Sequence, residues 1–169
     1  MARSNPGLWR RLVAFEVSPP GRVFSFTSRL ARENGWSLAF ARLVFEEYRR
    51  FLYLSVVVGR PLTAADAIER VWQLHLSYSA SYGQGLCRQV LGRRLRYEPR
   101  EGAERAAGHR AALKAYKREF GAAPPAEIWP APDRRLPAAA DGAARAPRRA
   151  GRKGARLPAV PIMPAARRA

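Results

Sequence analysis

Apolar side chains recur at intervals of three and four residues along most of the chain up to residue 120, and glycine or proline interrupts the pattern several times. This spacing is typical of amphipathic helices that bury one face. Capping residues and glycines at the interruptions supply start and stop signals. The pattern predicts helices over residues 23–33, 38–58, 82–91 and 101–120, and one more that begins at a capping box in residues 63–66 and ends where polar residues return at Ser77.

No stretch of the chain shows sustained alternation of apolar and polar residues, so we expect no β-sheet. The predicted fold class is therefore all-α, a small single-domain helical bundle over residues 20–130. An N-terminal extension of residues 1–19 precedes it. After the last helix, a short extended clip is expected to lay Ile128 and Trp129 on the bundle.

The last part of the chain, residues 131–169, combines six prolines with ten Lys or Arg residues and contains no aromatic residue. It cannot bury enough apolar surface to offset the entropy of ordering, so we predict a disordered basic tail. The net charge of +18 is shared between this tail and the bundle, which favours weak attraction to nucleic acid or anionic lipid. Because 28 of the 31 basic residues are arginine, a coding bias alone is an alternative explanation of this charge.

The cellular location follows from several sequence features. The single cysteine excludes an intramolecular disulfide, and so nothing indicates an oxidising compartment. The first residues lack the apolar core of a signal peptide. The longest apolar run, residues 51–59, is far shorter than the about 20 residues of a membrane span. We therefore expect a cytoplasmic protein without a membrane span.

The helix predicted after Ser37 has two distinct faces. Phe51 belongs to its apolar side, whereas Tyr53 falls on the side that carries charged residues. Glu47 lies on the apolar side, where an unpaired carboxylate would be strongly unfavourable. We therefore expect Glu47 to have a partner, either His75 or a buried arginine.

Residues 65–99 contain, in order, Trp-Gln-Leu-His-Leu, a tyrosine, Leu-Cys and Leu-Gly-Arg-Arg-Leu-Arg-Tyr-Glu-Pro. In order and spacing this stretch resembles the glycine-rich domain-containing protein-like family, and the resemblance covers residues 22–130. That family has no settled activity, and the likeness implies a non-catalytic helical interaction module. Family members tend to carry histidine where this chain has Gln73 and where it has Arg96 and Tyr97. The resemblance therefore implies a His/Cys cluster that has been eroded.

An enzyme is the alternative to a non-catalytic module. His75 and Cys87 are the candidate ligands of a zinc site, with His109 and Glu47 as further candidates, and the same His/Cys pair suits a thiol hydrolase. A hydrogen-bonded core histidine on the stripe of Trp72 and a small buried cysteine explain the same residues more simply. We expect no cofactor, with zinc as the alternative. The candidate site cluster consists of Glu47, Trp72, Gln73, His75, Cys87 and Tyr97.

Nonspecific nucleic-acid binding is a third hypothesis. Residues 93–100 are predicted to form a loop that combines several cations with one aromatic side chain, a composition suited to phosphate contacts without base reading. The chain has no phosphate-binding glycine loop and no Cys-x-x-Cys pair. We expect an unknown protein as the main partner, with weak nucleic-acid binding through the tail and this loop as the alternative. The loop cations are Arg93, Arg94, Arg96 and Arg100.

Overall fold

The computed structural model describes residues 3–18 and 25–131. All regular structure within these two ranges is helical, which confirms the predicted all-α fold class. The tail predicted over residues 131–169 lies outside the described residues, apart from Ala131. In chain order the elements are α1 (Pro6–Ala14), α2 (Phe26–Asn34), α3 (Leu38–Val57), α4 (Asp66–Leu76), a π-helix (Ser81–Leu91) and α5 (Gly102–Phe120).

Short polar side chains start three of these helices. The Asn5 side chain accepts a hydrogen bond from the Leu8 backbone N–H at 2.9 Å, and Pro6 occupies the first turn, where a missing N–H has no consequence. Ser37 accepts from the Phe40 N–H at 3.1 Å, as the sequence predicts. Helices α2, π and α5 end at glycines in the left-handed conformation, namely Gly35, Gly92 and Gly121.

Helix α3 is the centre of the bundle, because α1, α2, α4 and α5 all contact it. A helix covered on several sides needs more than one apolar stripe. The buried side chains of α3 accordingly surround most of its circumference, and one of them is a carboxylate. They are Ala41, Val44, Phe45, Glu47, Tyr48, Phe51, Leu52, Tyr53 and Leu54.

The N-terminal residues contribute to this core, which the sequence analysis did not predict. Leu8 and Leu12 of α1 are buried, and the Asn5 N–H donates to the Tyr53 hydroxyl at 2.9 Å. The Trp9 ring meets the Tyr53 ring edge-on at 5.8 Å. The placement of Tyr53 on the polar side of its helix is therefore wrong, because α1 covers that side and buries the ring completely.

The capping box predicted at residues 63–66 is also wrong. Helix α4 begins after Ala65 without a side-chain cap. Thr63 is instead buried, and its hydroxyl oxygen has no hydrogen-bond partner. It lies against Gly108 of α5, where an added Cβ would fall 2.3 Å from the Thr63 Oγ1. The threonine thus serves the packing of the α3–α4 loop on α5 and not the start of a helix.

The helix predicted over residues 82–91 is present as a π-helix. Its backbone hydrogen bonds link residues five apart, so one face recurs about every four to five residues. The buried positions follow that period and turn Tyr82 and Cys87 toward the core. The clip after α5 buries Ile128 and Trp129 as predicted. It is not extended throughout, because residues 126–128 form a turn in which the backbone N–H groups of Ile128 and Trp129 donate to the Pro125 carbonyl.

We predict that Gly108→Ala destabilises the protein by about 1–3 kcal/mol, because the new methyl group would overlap the Thr63 side chain. Urea unfolding measures the change. Thr63→Ala should recover part of the loss when combined with it. The control is Gly83→Ala on the π-helix, where an added Cβ meets nothing within 4 Å. Equal losses at both glycines would contradict the close contact.

Candidate functional site

His75 is fully buried in a ring of aromatic side chains. Its Nδ1 is 3.1 Å from the Tyr48 hydroxyl, and its Nε2 is 3.3 Å from the Ser81 hydroxyl. The Tyr82 ring meets the imidazole edge-on at 5.2 Å. Burial lowers the pKa of His75 to about 4. The side chain is therefore a neutral core histidine at neutral pH, with both ring nitrogens engaged.

This arrangement does not suit the zinc or hydrolase alternatives. Since both nitrogens of His75 face hydroxyl groups, neither is directed at the Cys87 thiol as a base would be. Cys87 is buried on the π-helix. Within residues 3–18 and 25–131, no group of three or more His, Cys, Asp or Glu side chains is placed to hold a metal ion. His109 is engaged elsewhere, with its Nε2 2.8 Å from the Pro130 carbonyl.

Glu47 is buried and has partners from three parts of the chain. The Trp129 indole N–H donates to Oε2 at 2.9 Å, and the Tyr116 hydroxyl donates to Oε1 at 3.2 Å. Arg50, one turn along α3, forms an ion pair with Oε1. Burial, followed by the nearby carboxylate, raises the pKa of Tyr116 to about 12. An arginine is thus the charged partner of Glu47, and the alternative partner His75 is wrong.

Trp72 starts a chain of hydrogen bonds that leads out of the core. Its indole N–H donates to the Tyr82 hydroxyl at 2.9 Å, and this hydroxyl donates to the Leu95 carbonyl at 2.7 Å. Gln73 donates from Nε2 to the Tyr97 hydroxyl at 3.0 Å. The Trp72 and Tyr97 rings also meet edge-on at 5.1 Å. Three of the candidate cluster residues therefore fix the segment that follows the π-helix.

That segment, residues 93–100, is called the arginine segment below. Leu95 and Tyr97 turn inward and are half-buried, while Arg94 and Arg96 between them are exposed. The anchoring bonds on the inward side chains and on the backbone hold the intervening cations toward solvent. Residues of the candidate cluster thus anchor the loop that carries the candidate nucleic-acid contacts.

The arginine segment forms one wall of a cavity of about 310 Å³, called the arginine cleft below. Arg60, from the α3–α4 loop, also lines this cavity, as do the buried rings of Phe51 and Trp72. Glu98 is the sole carboxylate among the lining residues, and it pairs with Arg100 at 3.9 Å. Within the described ranges the remaining cleft arginines have no ion pair with a carboxylate. They are Arg60, Arg93, Arg94 and Arg96.

A larger cavity, of about 1060 Å³, also uses the arginine segment as a wall. Leu76, Tyr82, Cys87 and Tyr97 line it together with the arginines. Burial raises the pKa of Tyr82 to about 12, so this phenol remains protonated and keeps its role as donor. Cys87 thus lies in the wall of a cavity.

Sequence reasoning missed two contributors to this region. Arg60 lies more than thirty residues before the arginine segment, and no spacing rule connects the two. Tyr82 carries the hydrogen-bond chain, yet it reads in the sequence as an ordinary core aromatic. The short alternation of cations with Leu95 and Tyr97 is the one local signal that could have identified an anchored extended segment.

Comparisons with protein-family models, curated proteins and solved structures find no match to this chain. The resemblance to the glycine-rich domain-containing protein-like family stays a prediction. None of the helices in the described ranges is both long and apolar enough to cross a membrane.

We predict that Trp129→Phe costs about 1–3 kcal/mol, because it keeps an aromatic ring but leaves a buried oxygen of Glu47 without its indole donor. Urea unfolding gives the value. The loss should shrink when Glu47 is changed to Gln, which removes the charge that the donor serves. Trp36→Phe, at a half-buried indole packed on Phe40, is the matched control. A loss that is identical in the Glu47→Gln background would disprove the coupling.

We predict that His75 makes stability depend on pH. Since its pKa falls from 6.5 to about 4 on folding, the unfolded chain binds a proton between these values that the folded protein does not. Stability is therefore fully present above pH 6.5 and declines as the pH falls toward 4, by up to about 3 kcal/mol.

His75→Gln supplies the comparison, because it removes this titration and leaves His109 in both proteins. Unfolding free energies measured at pH 7 and pH 4.5 should differ more in the wild type than in the variant. The same pH dependence in both proteins would show that His75 is not responsible.

Proposed function

We propose that this protein is a non-catalytic interaction module that binds an acidic partner protein at the arginine cleft. The observation that carries the proposal is the gathering of five arginines around one cavity of about 310 Å³ with a single carboxylate among the lining residues. Uncompensated like charges repel one another, and an anionic partner relieves that repulsion. A cytoplasmic location belongs to the same proposal.

The internal bonding of the candidate cluster supports a non-catalytic role. His75 is engaged at both nitrogens, and Glu47 is engaged at both oxygens. A general base or nucleophile must be free to reach a substrate. The polar side chains of the cluster instead hold the fold and the arginine segment. An eroded member of the family that the sequence resembles would have this character.

Nonspecific nucleic-acid binding is the second candidate function. It is favoured by the exposed arginines that follow one another along an extended segment, a form that can track a phosphate backbone. Against it, the aromatic side chain of the segment is already in use, since Tyr97 contacts Trp72 and accepts a hydrogen bond from Gln73. Stacking of bases on aromatic rings strengthens such binding, and the arginine segment offers no free ring for it.

We predict that Arg93→Gln/Arg94→Gln weakens binding of a poly-glutamate peptide by about tenfold or more, since hydrogen bonds to charged groups are worth about 1.5–3 kcal/mol each. Fluorescence anisotropy with labelled peptide measures the affinity. The control is Arg10→Gln/Arg110→Gln, which removes the same charge at exposed positions of α1 and α5.

An equal loss in the two double variants would mean that net charge alone attracts the peptide, against the proposal. Labelled oligo-dT in the same assay separates the two candidate functions. Tighter binding to oligo-dT than to the peptide, with a steep dependence on salt concentration, would favour nucleic acid.

A further inference from the structure

The arginine cleft gathers five arginines around one small cavity. Arg60 reaches it from the α3–α4 loop, and Arg93, Arg94, Arg96 and Arg100 reach it from the arginine segment. Its cations therefore come from two chain segments that are separate in sequence. A volume of about 310 Å³ is at the small end of the range for ligand sites.

The positive charge of five arginines exceeds the charge that one carboxylate balances. A carboxylate carries a single negative charge on two acceptor oxygens. A phosphate monoester carries a charge of about −1.5 to −2 at neutral pH and presents three acceptor oxygens. Several guanidinium groups suit that group better than one, because each forms two parallel hydrogen bonds in its own plane.

We propose that the arginine cleft is a phosphate-monoester site that recognises a phosphorylated side chain of the partner protein. This inference rests on the proposed function and names the group that the partner inserts. Arg60 is the cleft arginine that comes from outside the arginine segment.

The anchoring of the arginine segment prepares the site before the ligand arrives. Tyr82 holds the Leu95 carbonyl and Gln73 holds Tyr97, so one wall is already ordered. Binding to an ordered site avoids much of the entropy cost of fixing loops and side chains. Phosphate bound there should also stabilise the folded protein through mass action.

The test compares three labelled probes against the full chain: a phosphoserine peptide, the same peptide with glutamate in place of phosphoserine, and oligo-dT. The phosphopeptide should bind about tenfold more tightly than the glutamate peptide, a difference equal to about one extra charged hydrogen bond. Arg60→Gln should weaken phosphopeptide binding by about tenfold. Arg60→Lys, which keeps the charge without the planar fork, should give an intermediate affinity. Arg110→Gln is the matched control and should leave the affinity unchanged.

A second measurement does not depend on the peptide sequence. Inorganic phosphate should raise the melting temperature above that in chloride at equal ionic strength, and Arg60→Gln should abolish the difference. Circular dichroism of the variants establishes that they fold, so that a lost effect reports on the site.

Three other outcomes would overturn the inference, and each has a different consequence for the proposed function. Equal affinities for the phosphopeptide and glutamate peptide, both reduced by Arg93→Gln/Arg94→Gln, would refute phosphate recognition and leave the proposed function standing. Binding of neither peptide would refute both. Tighter binding of oligo-dT than of the phosphopeptide would assign the cleft to a nucleic-acid backbone.

Discussion

A buried carboxylate on the central helix governs how the C-terminal half of the bundle closes. Glu47 cannot stay ionised in the core without donors, since an uncompensated buried charge is strongly unfavourable. Its own helix supplies Arg50, but the other two donors, Tyr116 and Trp129, come from α5 and from the clip beyond it. Helix α5 must therefore lie along α3 in one register, and the clip must fold back over both. The same register brings Phe120 against Trp9 at 5.4 Å, and so α1 is positioned too.

A second buried hydrogen-bond network holds the arginine segment in place on the surface. Trp72 bonds to Tyr82, and Tyr82 bonds to the Leu95 carbonyl, so each bond fixes a group nearer to solvent than the one before. The π-helix contributes in two ways. Its period directs Tyr82 toward Trp72, and the arginine segment follows directly after its C-terminal end. Buried polar networks specify geometry when every member is satisfied. In this protein the geometry that they specify lies on the outside, where four arginines are held without helical or sheet structure around them.

The features that could be predicted from the sequence are those that depend on neighbouring residues in the chain. The long helices, the serine cap of α3 and the glycine ends all depend on residues within a turn or two of one another. Helix α1 escaped prediction because nine residues with two buried leucines give too little periodicity, and Tyr53 was consequently assigned to the wrong face. Two of the partners of Glu47 lie 69 and 82 residues away, so its burial and an arginine partner were predictable but these two donors were not. The arginines of the segment were identified from composition, whereas Arg60 joins them only through the tertiary fold.

The contact between Thr63 and Gly108 gives helix α5 an influence on a cleft that it does not line. Thr63 follows Arg60 by three residues in the α3–α4 loop, and the absence of a side chain at Gly108 allows that loop to lie directly on α5. Arg105 strengthens the same junction through ion pairs with Asp66 and Glu69 at the start of α4. The loop that carries Arg60 is thus positioned by α5, whereas the arginine segment is held by α4 and the π-helix. The width of the cleft therefore depends in part on residues that do not line it, Thr63 and Gly108 among them.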